Sequence, residues 1–212
     1  TRVSFSTDGV TWSPLQRVLE EGEWLWRVTW HKGTAYGVAY ITKEKEENIP
    51  SMIRLVKSSN GIDYELVTYL GVRGEANETT IRFLDDDTMM ALVRRDGTDR
   101  TGFIGTSMPP YTEWSWRNAG HVLGGPDFIH LAKGKCWAAS RLLAKDIAGN
   151  GFARTCLARL DQWSYRPVLI LPSDGDTSYP ALVWHDDMLW MSYYSSHEGK
   201  TAIYLAKIQV PN

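Results

Sequence analysis

The chain repeats itself with a period near fifty residues, and that period limits what it can fold into more than any other feature. Four segments, Trp26 to Ile41, Thr80 to Arg95, Phe128 to Arg141 and Tyr179 to Tyr194, each read as an apolar strand, a tight polar turn and a second strand. Their turns are His31-Lys32-Gly33, Asp85-Asp86-Asp87, Lys133-Gly134-Lys135 and His185-Asp186-Asp187. The turn midpoints, Lys32, Asp86, Gly134 and Asp186, are 54, 48 and 52 residues apart. A second series interleaves with the first. It begins at Ser6, Ser58, Thr106 and Ala158, with spacings of 52, 48 and 52. The strands are rich in Val, Ile, Trp and Tyr, and no window sustains a helical 3.6-residue pattern long enough to compete. Each unit therefore reads as four antiparallel strands, the size of a propeller blade. The expected fold is all-β, a β-propeller of four-stranded antiparallel blades forming a single domain over residues 1–212.

Composition narrows the function classes. Lys plus Arg number 23 against 25 Asp plus Glu, a net charge of −2, which argues against broad nucleic-acid binding. With 43% hydrophobic residues the chain can bury a real core. The longest apolar runs, such as Met89 to Val93 and Tyr179 to Trp184, fall far short of the roughly 18 residues a membrane-spanning helix needs. Cys136 and Cys156 lack metal-site spacing and read as two buried thiols. Ten Trp and ten Tyr suit packing between sheets or a surface on which sugars stack.

The stretch Ser6-Thr7-Asp8-Gly9-Val10-Thr11-Trp12 resembles the Asp-box, the repeat of bacterial neuraminidases, and Ser58-Ser59-Asn60-Gly61-Ile62-Asp63-Tyr64 resembles a degenerate copy. In such boxes Asp and Gly close a hairpin and the Trp plugs the blade, so Asp8 reads as structural. The C-terminal run from Asp176-Thr177-Ser178-Tyr179-Pro180 through Ser192-Tyr193-Tyr194-Ser195-Ser196-His197-Glu198-Gly199-Lys200 is similar to the last blade of sialidase-like propellers. Leu25 to Gly33 and Gly124-Gly125-Pro126-Asp127 look like earlier blades. The resemblance implies six blades in the full protein and about four and a half here. Roughly a hundred further residues would then precede Thr1. The competing reading is a small closed propeller in which Arg2 to Ser6 or Pro14 to Leu19 pairs with Thr201 to Gln209.

In a propeller the innermost strands start, and the second strands end, at one face of the channel. Trp24, Asn77, Glu78, Asp127, Asp176 and Tyr179 are strand starts; Tyr40, Arg94, Arg141, Tyr193 and Tyr194 are strand ends, with His197 just beyond. Counted from the turns, Tyr40, Arg94, Arg141 and Tyr194 occupy equivalent places. Arg95 points to the opposite face in a regular strand, so a slip of one residue would exchange it with Arg94. Pro180 implies an extended backbone at Tyr179.

The sialidase resemblance implies roles for these positions. Sialidases hold an acidic sugar with an arginine triad and attack it with a tyrosine assisted by a glutamate, an exception among glycosidases. Tyr179 would be the nucleophile, Glu78 the carboxylate that takes its proton, and Arg94 and Arg141 two arms of the triad. Asp127 and Asp176 would bind sugar hydroxyls or close turns, Tyr193 would touch the sugar, and His197 would be a loop or hydroxyl-binding residue. Nothing before Trp24 matches the third arginine or the acid/base aspartate. The expected activity is exo-cleavage of a terminal acidic sugar by a retaining route, with a glycan as partner and no cofactor or metal implied. A non-catalytic carbohydrate-binding propeller is the alternative. The substrate class favours a secreted or periplasmic location.

Overall fold

Alternation of apolar and polar residues, punctuated by glycine and aspartate turns, produces eighteen strands among the described residues. The structure, a computed structural model, describes residues 1–41, 52–131, 134–145 and 151–211. A short hairpin comes first, β1 (Arg2–Val3) with β2 (Gln16–Arg17). The first blade follows. Its inner strand is split into β3 (Glu23–Leu25) and β4 (Thr29–His31), both pairing β5 (Thr34–Ile41), then β6 (Arg54–Ser58) and β7 (Glu65–Tyr69). The second blade is β8 (Ala76–Phe83), β9 (Met89–Arg95), β10 (Thr101–Ser107) and β11 (Ser115–Val122). The third is β12 (Gly124–Leu131), β13 (Lys135–Lys145), β14 (Gly151–Leu160) and β15 (Tyr165–Ile170). The fourth has three strands, β16 (Thr177–His185), β17 (Met188–Ser195) and β18 (Ala202–Ile208).

These four antiparallel sheets form a β-propeller, as the repeat predicts. No helix among the described residues is long and apolar enough to cross a membrane. Among the described residues the terminal segments pair locally, β1 with β2 and β18 with β17, and not Arg2 to Ser6 or Pro14 to Leu19 with Thr201 to Gln209. Of the turn Lys133-Gly134-Lys135, Lys133 lies outside the described residues.

Packing follows the blade order. Val38, Leu55, Ile81 and Met89 fill the space between the first two blades; Leu92, Phe128, Cys156 and Tyr165 that between the second and third; Trp137, Leu157, Leu189 and Met191 that between the third and fourth. Middle strands such as β9 are buried on both faces, which explains their unbroken apolar runs. Both cysteines are buried, and burial pushes the Cys136 thiol up to about 12.

The hairpins at Ser6 and Ser58 are closed by the same bonds. Asp8 Oδ1 accepts from the amides of Val10 (2.8 Å) and Thr11 (2.7 Å), and Asn60 Oδ1 accepts from those of Ile62 (2.8 Å) and Asp63 (2.9 Å). Ser6 and Ser58 hydroxyls accept from Gly9 and Gly61, whose φ angles of 72° and 75° need glycine. The two amide bonds to Asp8 lower its pKa to about 2. Trp12, expected as a plug, is 60% exposed.

One buried carboxylate joins all four blades. Asp127 on β12 is 1% exposed. Its Oδ1 accepts from Arg82 of the second blade at 2.8 Å, and its Oδ2 accepts from the amide of Leu182 in the fourth at 3.0 Å. Arg27 of the first blade lies 3.4 Å from the same Oδ2 and donates to the Pro180 carbonyl at 2.6 Å. Burial lowers the pKa of Arg82, and Asp127 opposes that shift. Removing Asp127 would strand two guanidinium groups in the channel. Asp127→Ala is expected to cost about 3 to 5 kcal/mol in urea unfolding; a loss below about 1 kcal/mol would mean the pair behaves as a surface one.

Candidate functional site

The inner strands do not run straight into the channel. The register of β8 on β9 moves by one residue between Ala76↔Arg95 and Thr79↔Val93, so Asn77 and Glu78 together oppose Arg94. The same slip occurs in β12 between Gly124 and Asp127 and in β16 between Ser178 and Ala181. In the first blade the break between β3 and β4 takes its place. A bulge leaves side chains free of the pleat and re-aims them. Here the irregularities turn Trp26, Glu78 and Tyr179 into one cleft of about 500 Å³, lined also by Trp24, Tyr40, Asn77, Arg94 and Asp96.

Glu78 is the centre of this cleft and is 5% exposed. Its Oε1 accepts from the Tyr179 hydroxyl at 2.8 Å, and its Oε2 accepts from Arg94 Nη1 at 2.8 Å and from the Gly125 amide at 3.1 Å. A buried carboxylate is tolerable only when charge and lone pairs are matched in this way. Gly125 matters twice. Besides donating to Glu78, it has φ 56°, and a Cβ there would fall 2.4 Å from the Tyr179 ring.

Tyr179 sits in the left-handed region, with φ 48°, rather than in the extended backbone that Pro180 implied. Tyr179 and Pro180 both lie in the bulge between Ser178 and Ala181, a place where a proline with no amide for the ladder is tolerated. Such strain in a tyrosine costs on the order of 1–3 kcal/mol and gathers at functional sites. The phenol packs 5.7 Å from Trp26 and 5.9 Å from Tyr194. Burial, then the Glu78 bond, raises its pKa above the ordinary value. Burial also raises that of Tyr40, followed by the nearby Glu78 charge.

Around this centre the charges form a chain. Arg94 meets Asp96 through Nε–Oδ1 at 3.2 Å and Nη2–Oδ2 at 3.1 Å, and Asn77 donates to Asp96 Oδ2 at 2.8 Å. On the other side Asp176 Oδ1 accepts from the Tyr194 hydroxyl at 2.7 Å and lies 3.7 Å from Arg141 Nη1. Burial, followed by the Asp176 bond, pushes the Tyr194 phenol up to about 12. Burial alone would lower the Arg94 pKa, but the hydrogen bonds and charges of Glu78 and Asp96 together outweigh it and raise it above the ordinary value.

The structure thus brings together Tyr179, Glu78 and Arg94, with Asp176, Tyr194 and Arg141 alongside. Arg95 turns the other way, to the Arg73 carbonyl at 2.7 Å, so the register read from the turns holds for Arg94. Three candidates stand elsewhere. Asp127 is spent on the blade-joining network beneath the cleft. Tyr193 is 5% exposed, donates to the Pro172 carbonyl at 2.9 Å and stacks on Tyr204, because alternation along β17 sends it into the blade core. His197 bonds Ser195 Oγ at 2.9 Å and packs on Tyr204. Trp26, Asp96 and Gly125 escaped the strand-start count. For Gly125 a signal existed in Gly124-Gly125-Pro126, since glycine and proline inside a strand mark a bulge.

No protein-family model matches the chain, and no curated protein matches it by sequence. Solved structures do share its fold. An α-L-arabinofuranosidase from Fusarium graminearum superposes with a TM-score of 0.63 at 10% identity, over 98% of this chain and 84% of that one. A GH32 β-fructofuranosidase from Bombyx mori gives 0.62 at 11%, over 94% and 52%. An exo-1,5-α-L-arabinanase from a bovine ruminal metagenomic library gives 0.59 at 10%, over 97% and 85%. The chain therefore spans about half the length of the Bombyx enzyme. The fold is that of the β-propellers found in glycoside hydrolases, and these three neighbours are not sialidases.

The Tyr194 environment makes a solution prediction. Its neutral form is favoured in the fold, so its stabilising contribution is complete below the ordinary phenol value of 10.0 and is lost as pH rises through about 12. Ultraviolet titration should show a late-ionising phenol that disappears in Tyr194→Phe; an unchanged titration curve in that variant would contradict the assignment.

Proposed function

We propose that this propeller belongs to a retaining glycoside hydrolase that removes a terminal sugar, with Tyr179 as nucleophile and Glu78 as its base, the tyrosine chemistry that sialidases use. The observation that carries the reading is the 2.8 Å bond from the Tyr179 hydroxyl to a buried carboxylate at the floor of an aromatic cleft. A neutral phenol attacks poorly, and its raised pKa keeps it neutral in the resting site. As its oxygen bonds to the anomeric carbon, the proton passes to Glu78 Oε1 and the leaving oxygen departs with the glycosidic electron pair. Water then attacks the same carbon, protonated Glu78 returns its proton to the departing Tyr179 oxygen, and the proton lost by the water passes through solvent to the released leaving-group oxygen. Arg94 and the Gly125 amide hold the other carboxylate oxygen, which fixes Oε1 against the phenol. The glycosidase identity of the structural neighbours supports the same class.

A second reading, carbohydrate binding without turnover, has one observation in its favour. Glu78 and Asp96 in the cleft each already pair with Arg94, and Asp176 beside it accepts from Tyr194, so among the described residues none of these three carboxylates stands free to protonate a leaving group. Aryl glycosides, whose leaving groups need no acid, separate the two readings. With a 4-methylumbelliferyl glycoside the protein turns over, Tyr179→Phe loses activity, and Glu78→Gln falls by about a hundredfold to ten-thousandfold in kcat, with unfolding midpoints near that of the parent. Binding that survives Tyr179→Phe, with no turnover in the parent protein, would establish the second reading instead.

A further inference from the structure

The sialidase resemblance assigns Arg94 to a substrate carboxylate, but its guanidinium is already holding one. An arginine receives a carboxylate best along one edge, with two parallel N–H···O contacts. On Arg94 the Nε and Nη2 edge meets the two oxygens of Asp96 at 3.2 and 3.1 Å, and Nη1 is given to Glu78. Asp96 is itself anchored. Asn77 donates to its Oδ2, and its backbone amide donates to the Glu75 carbonyl at 3.2 Å.

The charge balance agrees with this geometry. Three carboxylates, Glu78, Asp96 and Asp176, face two guanidinium groups, Arg94 and Arg141, and Arg141 already leans toward Asp176. The remaining wall is aromatic, made by Trp24, Trp26, Tyr40 and Tyr179, a surface suited to the apolar faces of an uncharged sugar ring. An acidic sugar would have to displace Asp96 from its fork or lie beside a like charge. Rejection by an occupied or repelling site is a common source of specificity.

We propose that Asp96 is a specificity residue that fills the Arg94 fork, so that the cleft takes sugars without a carboxylate and turns acidic sugars away. This rests on the glycosidase reading of the cleft and replaces only the acidic-sugar expectation.

The test compares two sets of 4-methylumbelliferyl glycosides: the α-N-acetylneuraminide and β-glucuronide as acidic probes, and the α-L-arabinofuranoside, β-xyloside and β-galactoside as neutral ones. Turnover is paired with saturation-transfer NMR of the corresponding methyl glycosides, in the parent protein, Asp96→Ala, Asp96→Asn and Tyr179→Phe. The parent should bind and cleave a neutral probe and ignore both acidic ones. Both Asp96 variants should gain on the acidic probes relative to the neutral by about tenfold or more, the size of one charge-assisted pair. Agreement between Ala and Asn shows that charge, not packing, sets the preference. A parent that uses an acidic probe as well as a neutral one overturns this proposal, and loss of that turnover in Tyr179→Phe would leave the glycosidase reading standing. An unchanged acidic-to-neutral ratio in both Asp96 variants overturns it as well. A parent that neither binds nor cleaves any probe overturns both readings.

Discussion

Asp127 places a single negative charge at the centre of the propeller, facing guanidinium groups from the first and second blades and a backbone amide from the fourth. Sheets that pack only through apolar faces can slide against one another; a buried ion pair with its hydrogen bonds cannot be shifted without exposing an unpaired charge. The position of this carboxylate therefore sets how the inner strands stand around the channel. Side chains rather than strands carry the junction between the first and fourth blades, through Arg27 on the Pro180 carbonyl and Trp26 against Tyr179. Both contacts lie within a few residues of the cleft, so the network that orients the blades also fixes the reactive groups.

The cleft depends on a repeated departure from regular pairing. In a straight inner strand, residues 78 and 179 would alternate into the pleat. The bulges in β8, β12 and β16 instead bring Glu78, Gly125 and Tyr179 together from three blades. In the proposed mechanism each takes a different part: a carboxylate to accept the proton, a backbone amide to hold it in place and space for the ring, and a phenol to attack. The positive φ of Tyr179 is the local cost of this arrangement.

Much of this was legible in the residues. The fifty-residue period specifies repeated antiparallel units, the residues at Asp8 and Asn60 specify their hairpin turns, and counting from the first series of turns selects Arg94 over Arg95. That count works because period-two alternation is fixed along a paired strand. It fails where a bulge inserts a residue, which is why Trp26 went unseen and why Tyr179 was expected to be extended. Tyr193 and Tyr194 look alike in sequence, and only the pleat of β17 sends one into the core and the other to Asp176. Asp127 carried the same strand-start signature as Glu78. Its burial among arginines of other blades is a long-range fact that no local pattern encodes. The pairing of Arg94 with Asp96 is equally invisible, since neighbouring charges on one strand end do not reveal which edge of a guanidinium they occupy.

The central claim is that Tyr179 forms the covalent bond to sugar. Its most direct measurement is mass spectrometry of the protein after reaction with activated fluoro-sugars, which trap a glycosyl-enzyme intermediate. The account predicts one added glycosyl group on the peptide containing Tyr179 and none in Tyr179→Phe. A stable adduct on any other residue, or turnover that persists in Tyr179→Phe, would contradict it.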